Sequence, residues 1–377
     1  MGKVMGPLAG LKIVEFEGIG PGPLAGMLLA DMGAEVTVIA RKGGVALTKQ
    51  LGGDVDFEIL QRGKHRVVVD LKQPEGVALA LDLLGEADAL IEGNRPGVME
   101  RLGLGPEQCL AKNSRLIYGR LTGWGQDGPL AQAAGHDLNY IALTGLLGLT
   151  GGRSDPQRPP ATLAGDAIGA LGMAFGIVSA AFEARSSGKG QVVDAAIVDM
   201  VAVLGSIAHF IHAAGQIGGP QPSAFYDSPF YDLFQCADGE WVSLAPLEPH
   251  FYAQLMERLQ LSDVVVKAQY DVAQWPALKE RLTSMFRSQP RAHWCALLEG
   301  SDVCFAPVLS PMEAAVHSHN VARNVFQTQP IVQANPAPRF SRTPGAILQI
   351  DRQEQAPLLA TVAVERLEQL RRSGVLA

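Results

Sequence analysis

Apolar and polar positions along the first two hundred residues follow two periods. Short β-branched runs, KIVEF, EVTVIA, RVVVDL, ALIEG and RLIYGRLTG, are separated by stretches of helical spacing, PLAGMLLADMG and PEGVALALDLLGEA. GPEQCLAKN adds a short helix between the last two runs. Strands alternating with crossover helices predict an α/β fold with a Rossmann-like parallel sheet. From residue 225 the pattern changes: FYDLFQC and EWVSLAP flank ADG as a hairpin, and PHFYAQLMERLQL, WPALKERLTSMFRS and RAHWCALLEG follow with helical spacing. The expected organisation is a large domain over 1–200, a linker over 201–225, a smaller α+β domain over 226–310 and a Pro-rich linker over 311–338. A C-terminal segment, 339–377, carries the helix-like stretch APLLATVAVERLEQLRRSG back to the large domain.

Composition narrows the class. With 377 residues, 47% of them hydrophobic and 18% charged, the chain reads as a well-packed globular protein. A net charge of −7 speaks against nucleic acid as a partner, which would require a basic face. Cys109, Cys236, Cys295 and Cys304 form no C-x-x-C pair and no metal-like spacing with histidine, so free thiols and no metal site are expected. MGKVMGPLAGLK passes into a strand without a targeting pattern, which points to the cytoplasm. The apolar stretch AIGALGMAFGIVSAAF falls short of a membrane span and reads as a buried helix at a subunit contact.

Candidate chemistry begins at GIGPGPLAGMLLADMGAEVTVIAR. Gly20, Gly22 and Ala25 match the spacing of a dinucleotide-binding turn, and Arg41 follows the second strand where it would meet a 2′-phosphate. Pro21 and Pro23, however, remove two backbone donors from the segment that should cradle a pyrophosphate. The 3′-phosphate of coenzyme A would suit Arg41 equally well. Arg62, Lys64, His65 and Arg66 crowd before the third strand and Arg95 lies in the turn GNRPG, positions that suit a multiply phosphorylated ligand. Further along, His136 in GHDLNY reads either as a base working near neutral pH or as a histidine satisfying a loop hydrogen bond. Asp166, alone between Arg158 and Glu183 as a charge, reads as a helix cap or as a carboxyl with a tuned pKa. Glu248 before Pro249 is a helix N-terminal charge or a carboxylate that orients His136.

Taken together, PLAGLKIVEFEGIGPGPLAGMLLADMGAEVTVIAR, VVVDLK, GNRPGVMERLGLGP, RLIYGRLTGWGQDGP, AGHDLNY, SSGKGQVVDAAIVD, LEPHFY and PAPRFSRTP resemble the family III CoA-transferases, most like their α-methylacyl-CoA racemase branch. The resemblance implies an interlocked homodimer and an acyl-CoA substrate, with coenzyme A as part of that substrate and no separate cofactor. It places His136 and Asp166 on the two acid/base positions and Glu248 on the acid that supports the histidine. Arg41, Val68, Val69, Asp70, Leu71, Arg95, Gly135, Asp137 and Tyr140 fall on CoA-contacting positions. The implied reaction is inversion of a 2-methylacyl-CoA thioester through an enolate, with oxyanion donors from the loops around 135 and 165. In the transferases the same Asp position is the nucleophile. The chain reads SAFYDSPFYD where racemases carry a small Gly-Gly element near the acyl pocket, which leaves the acyl chain open.

Overall fold

The protein is described by a computed structural model over residues 6–44, 59–152, 155–156, 159–350 and 355–377. Its described residues divide into two units, one drawn from Met1–Gly145, Pro159–Leu204 and Gln333–Ala377, the other from Leu146–Arg158 and Gly205–Val332.

The first unit is built on six strands: β1 (Lys12–Phe16), β2 (Glu35–Ala40), β3 (Lys64–Val68), β4 (Ala89–Glu92), β5 (Ile117–Arg120) and β6 (Val192–Asp194). They lie in the order β3–β2–β1–β4–β5–β6, and every pairing is parallel. β4 and β5 are buried along their whole length, as expected where helices cover both faces. The order reverses between β1 and β4, and in such sheets the ligand crevice opens there, beyond the carboxyl ends of the strands. β6 was not apparent in the hydrophobic pattern because it has three residues, none fully buried.

Helices α1 (Pro21–Asp31), α2 (Pro74–Gly85) and α3 (Pro106–Lys112) each begin on a proline, whose missing N–H costs nothing in the first turn. After α4 (Asp137–Leu143), the long apolar stretch folds as α5 (Asp166–Ser187), followed by α6 (Ile197–Leu204). A Cβ at Gly169 would lie 2.7 Å from Ile197 and one at Gly172 2.5 Å from Met200, so the small residues let α5 lie directly on α6. Only one face of α5 is buried. Leu171, Phe175, Val178 and Phe182 form an exposed stripe on the other, with Phe175 and Phe182 more than 70% exposed (71% and 76%).

The C-terminal stretch packs on this unit, but not as a single helix. A 3₁₀ turn (Pro357–Thr361) and a helix (Val364–Arg372) are separated by Val362 in extended conformation, which lets Leu358, Leu359 and Val362 enter the core ahead of Leu367 and Leu370. The Asp70 N–H then donates to the Val375 carbonyl and the Ala377 N–H to that of Val68.

In the second unit β7 (Asp232–Gln235) and β8 (Trp241–Leu244) form the expected hairpin, and Phe305–Pro307 adds a third antiparallel strand. Helices α7 (Ser206–Ala213), α8 (Pro249–Arg258), α9 (Trp275–Phe286) and α10 (Arg291–Leu298) complete it around Phe230, Phe234, Tyr252, Phe286 and Trp294. The stretches read as linkers carry structure of their own: α7 falls within 201–225, and two short helices, Pro311–Val316 and Ser318–Ala322, within 311–338.

At the base of the first unit's sheet, the Lys64 ammonium donates to Glu15 Oε2 at 2.6 Å and to the Pro23 carbonyl at 2.7 Å, with both charged side chains sealed from solvent. Burial pushes the Glu15 carboxyl upward and the neighbouring Lys64 opposes it. Glu15 Oε1 has no hydrogen-bond partner, so the desolvation of the pair is only partly offset. Lys64→Met should therefore strand a buried carboxyl and cost about 3–5 kcal/mol in urea denaturation, whereas Glu15→Leu combined with Lys64→Met should recover most of that loss.

Candidate active site

Four segments meet beyond the carboxyl ends of β1, β4 and β5. The first is the turn that opens α1. Gly20 holds φ 65°, a left-handed conformation suited to glycine, and a Cβ there would lie 3.3 Å from Asp166 Oδ2. The turn thus runs against the Asp166 carboxyl. Pro21 occupies the first helical position, and the Leu24 N–H bonds back to Gly20. Few donors remain for a pyrophosphate, and the dinucleotide reading of the glycine pattern gives way to a turn that lines the Asp166 site.

The second segment is Gly135–Tyr140. His136 caps α4 with extended backbone, and its own N–H donates to Asn139 Oδ1 at 3.0 Å. His136 itself is left exposed. Behind it, the Tyr140 hydroxyl donates to the Gly135 carbonyl, and the Trp124 ring meets Tyr140 edge-on at 4.8 Å. A Cβ at Gly135 would strike Trp124 and Tyr140, each at 2.8 Å, and one at Gly123 would strike the Tyr140 ring at 2.1 Å. Trp124, quoted in the sequence only as part of RLTGWGQDGP, is a support that spacing did not single out. Its one local signal was the preceding Gly123, which leaves room for the Tyr140 ring.

The third segment is the start of α5. Asp137 Oδ1 accepts from the Gly165 N–H at 2.6 Å and from the Asp166 N–H at 2.9 Å. Asp166 is therefore not the cap of its own helix; Asp137, from another helix, does that work. Because those two amides are taken, the loop around 165 cannot offer them to an oxyanion. The Asp166 carboxyl is pushed up to about 6, chiefly by burial and then by the Asp137 charge, with His136 acting in the opposite direction. Asp166 also raises the Tyr140 hydroxyl, after burial, while Arg95 lowers it, so the exposed Arg95 of the fourth segment shares this crevice.

The basic cluster expected before the third strand lies largely within it, Lys64, His65 and Arg66 being its first three residues, and it does not act as one. Arg62 is held against Asp31, with Nε 3.0 Å from Oδ1, and also donates to Gln333 and Ala334. Lys64 is sealed against Glu15, and His65 is buried. Arg66, on the same face of the strand as Lys64 but nearer its carboxyl end, is exposed and meets Glu17 Oε1 at 2.8 Å. Arg41 flanks the same carboxylate, its N–H 3.0 Å and its Nε 3.7 Å from Oε2. Two exposed guanidinium groups thus share one acid beyond β2 and β3. Val68, Asp70 and Leu71 are half-buried next to them and Val69 is buried. Asp70 accepts from the Lys72 N–H and the Gln73 amide, which hold its carboxyl below the usual range. Glu248 lies in the second unit, exposed at the N-terminus of α8, with Pro249 in the first turn. Cys109, Cys236, Cys295 and Cys304 are all free, and no group of acids, histidines and thiols fit for a metal occurs among the described residues.

A Gly-rich turn, a histidine and a carboxyl pushed up by burial thus meet at the switch point of a parallel sheet, the place where α/β proteins bind ligands. The chain matches CoA-transferase family III over residues 8–358 and belongs to that family. It is 39% identical to α-methylacyl-CoA racemase of Mus musculus over 89% of this chain and 87% of that one. Identity to acetyl-CoA:oxalate CoA-transferase of Acetobacter aceti is 31%, covering 86% of each. The crystal structure of a CAIB/BAIF family protein from Brucella suis superposes with a TM-score of 0.79 at 26% identity, covering 98% of this chain and 100% of that one. The protein is thus an enzyme of the family III CoA-transferase and racemase type.

The raised carboxyl has a stability consequence with a definite sign. A folded-state value near 6 against an ordinary 3.8 means that the folded protein binds the proton more tightly, so stability falls as pH rises across that window. Asp166→Asn should accordingly raise the stability at pH 7.5 by about 1 kcal/mol after allowance for solvent screening, and should change it little at pH 4, measured by thermal melts at both values.

Proposed function

We propose that the protein inverts the α-carbon of 2-methylacyl-CoA thioesters by two-base proton transfer. The observation that carries this reading is Asp166, a half-buried carboxyl held near 6, facing the His136 turn across one crevice. Inversion needs one group to remove the α-proton and a second to return a proton from the opposite face. His136 and Asp166 are two such groups of different type, and their roles exchange with the direction of reaction. An enolate forms between the two transfers. With the amides of Gly165 and Asp166 taken by Asp137, the donors that meet its oxygen come from the loop around 135.

The coenzyme A portion is assigned to the first unit. Arg41 takes the 3′-phosphate, and Arg66 beside it shares the Glu17 carboxylate and adds a second cation. Val68, Val69, Asp70 and Leu71 border the adenosine, while Arg95, Gly135, Asp137 and Tyr140 border the pantetheine end. Asp70 and Asp137 contribute there through their backbone, since their carboxylates are engaged internally. Glu248 keeps the histidine-supporting role that the resemblance gives it. Coenzyme A enters as part of the substrate, no separate cofactor is required, and the enzyme works in the cytoplasm.

A second reading rests on the transferase relative: Asp166 as nucleophile attacks the acyl-CoA carbonyl to form an aspartyl anhydride and release CoA thiolate, which then attacks the aspartyl carbonyl to give an aspartyl-CoA thioester and free the first acid. The raised carboxyl favours the racemase, because it places an acid able to return a proton near neutral pH.

In D₂O the enzyme should exchange the α-hydrogen of a 2-methylacyl-CoA with no second acid present, and His136→Ala or Asp166→Ala should slow exchange by about 10²–10⁴-fold. A hydroxylamine-sensitive adduct on Asp166 without α-exchange would favour the transferase instead. The exposed apolar stripe on α5 supports a homodimer, since water-facing phenylalanines in a row mark a contact surface. Phe175→Glu combined with Phe182→Glu should convert a dimer to a monomer in sedimentation velocity.

A further inference from the structure

We propose that Asp137 is a positioning residue whose carboxylate pins the Gly165 and Asp166 amides, fixing the first turn of α5 and the Asp166 side chain against the His136 turn. The reading of Asp166 as an acid/base group underlies the functional side of this proposal; the geometry stands without it.

Asp137 follows His136 directly and is only 8% exposed. Its Oδ1 accepts both leading amides of α5, at 2.6 Å and 2.9 Å, so one side chain bridges two helices that are 28 residues apart in sequence at the nearer contact. Gly165 is required for this approach: a Cβ there would lie 2.5 Å from the same oxygen. A cap normally comes from the residue preceding the helix, and here that residue is a glycine with nothing to offer. The cap therefore comes from the segment that carries the other base. Any shift of His136 along its turn is transmitted through Asp137 to the start of α5.

The same carboxylate sets the charge environment. The groups acting on Asp166 are Asp137, which raises it, and His136, which lowers it; Tyr140 and Arg95 stand one step beyond. From α1, which packs along α5, the residues at this end are Gly20, Pro21, Gly22 and Pro23, none of them charged. Helix N-termini ordinarily favour an ionised carboxylate. By occupying the leading amides with its own negative oxygen, Asp137 denies Asp166 that stabilisation and keeps it able to hold a proton near neutral pH.

Two variants separate the bridge from the charge. Asp137→Asn retains an oxygen that can accept both amides and removes the charge, whereas Asp137→Ala removes both. Carbon-detected NMR titration of the Asp166 carboxyl, in full-length protein without substrate, should show its midpoint fall by about one pH unit in Asp137→Asn. Amide exchange at Gly165 and Asp166 should be slow in wild type and in Asp137→Asn, and at least tenfold faster in Asp137→Ala. An unchanged Asp166 midpoint in Asp137→Asn, or unchanged exchange in Asp137→Ala, overturns the proposal. Should either variant fail to fold, wild type alone decides: fast exchange at both amides, or an Asp166 midpoint in the ordinary range, overturns it. Loss of thioester exchange in wild type with these NMR results intact would instead reject the racemase reading and leave the positioning role standing.

Discussion

The turn that opens α1 is held from beneath by a sealed ion pair. Lys64 reaches from β3 to Glu15 on β1 and, with a second hydrogen bond, to the Pro23 carbonyl. A charge can be enclosed in this way only if each donor finds an acceptor, so the ammonium fixes strand spacing and turn position together. Gly26 gives the pair room, since a Cβ there would fall 1.9 Å from Glu15 Oε2. Gly20, six residues earlier in the same segment, then comes to rest against Asp166.

From that anchored floor the site is assembled by close approach rather than by large side chains. Gly123 and Gly135 admit Trp124 and Tyr140, Gly165 admits Asp137, and Gly20 admits Asp166. A methyl group would block the contacts at Gly123, Gly135 and Gly165 and crowd the one at Gly20. The result is a crevice closely packed on several sides while His136 remains open to solvent. A carboxyl raised by burial is costly to the fold, and here the cost falls on Asp166, packed against Gly20 and beside the Asp137 charge.

Much of the large unit was legible in sequence. Five of its six strands and the crossover helices were legible as short β-branched runs alternating with helical spacing, although β3 begins on Lys64, His65 and Arg66, ahead of its apolar run. The sixth strand was too short to carry a period, and the closing helix broke because three apolar residues had to reach the core from one short segment. Trp124 was hidden for a different reason: Tyr140, which its ring meets, and Gly135, which admits both rings, lie well apart from it in sequence yet adjacent in space.

Sequence by itself determined the element order, the parallel sheet, the family to which the chain belongs, and the residues His136, Asp166 and Arg41 as the candidates for chemistry. Those depend on local period and residue type, which a linear chain displays directly. Only the tertiary structure decided which charges were free to act. Of the cations grouped as Arg62, Lys64, His65 and Arg66, buried acids withdrew Arg62 and Lys64 into ion pairs and packing enclosed His65, while Arg66 remained exposed beside Arg41. It also decided that Asp137, not Asp166, caps α5. Charge and hydrogen bonding act through space, so neighbours in sequence do not fix them.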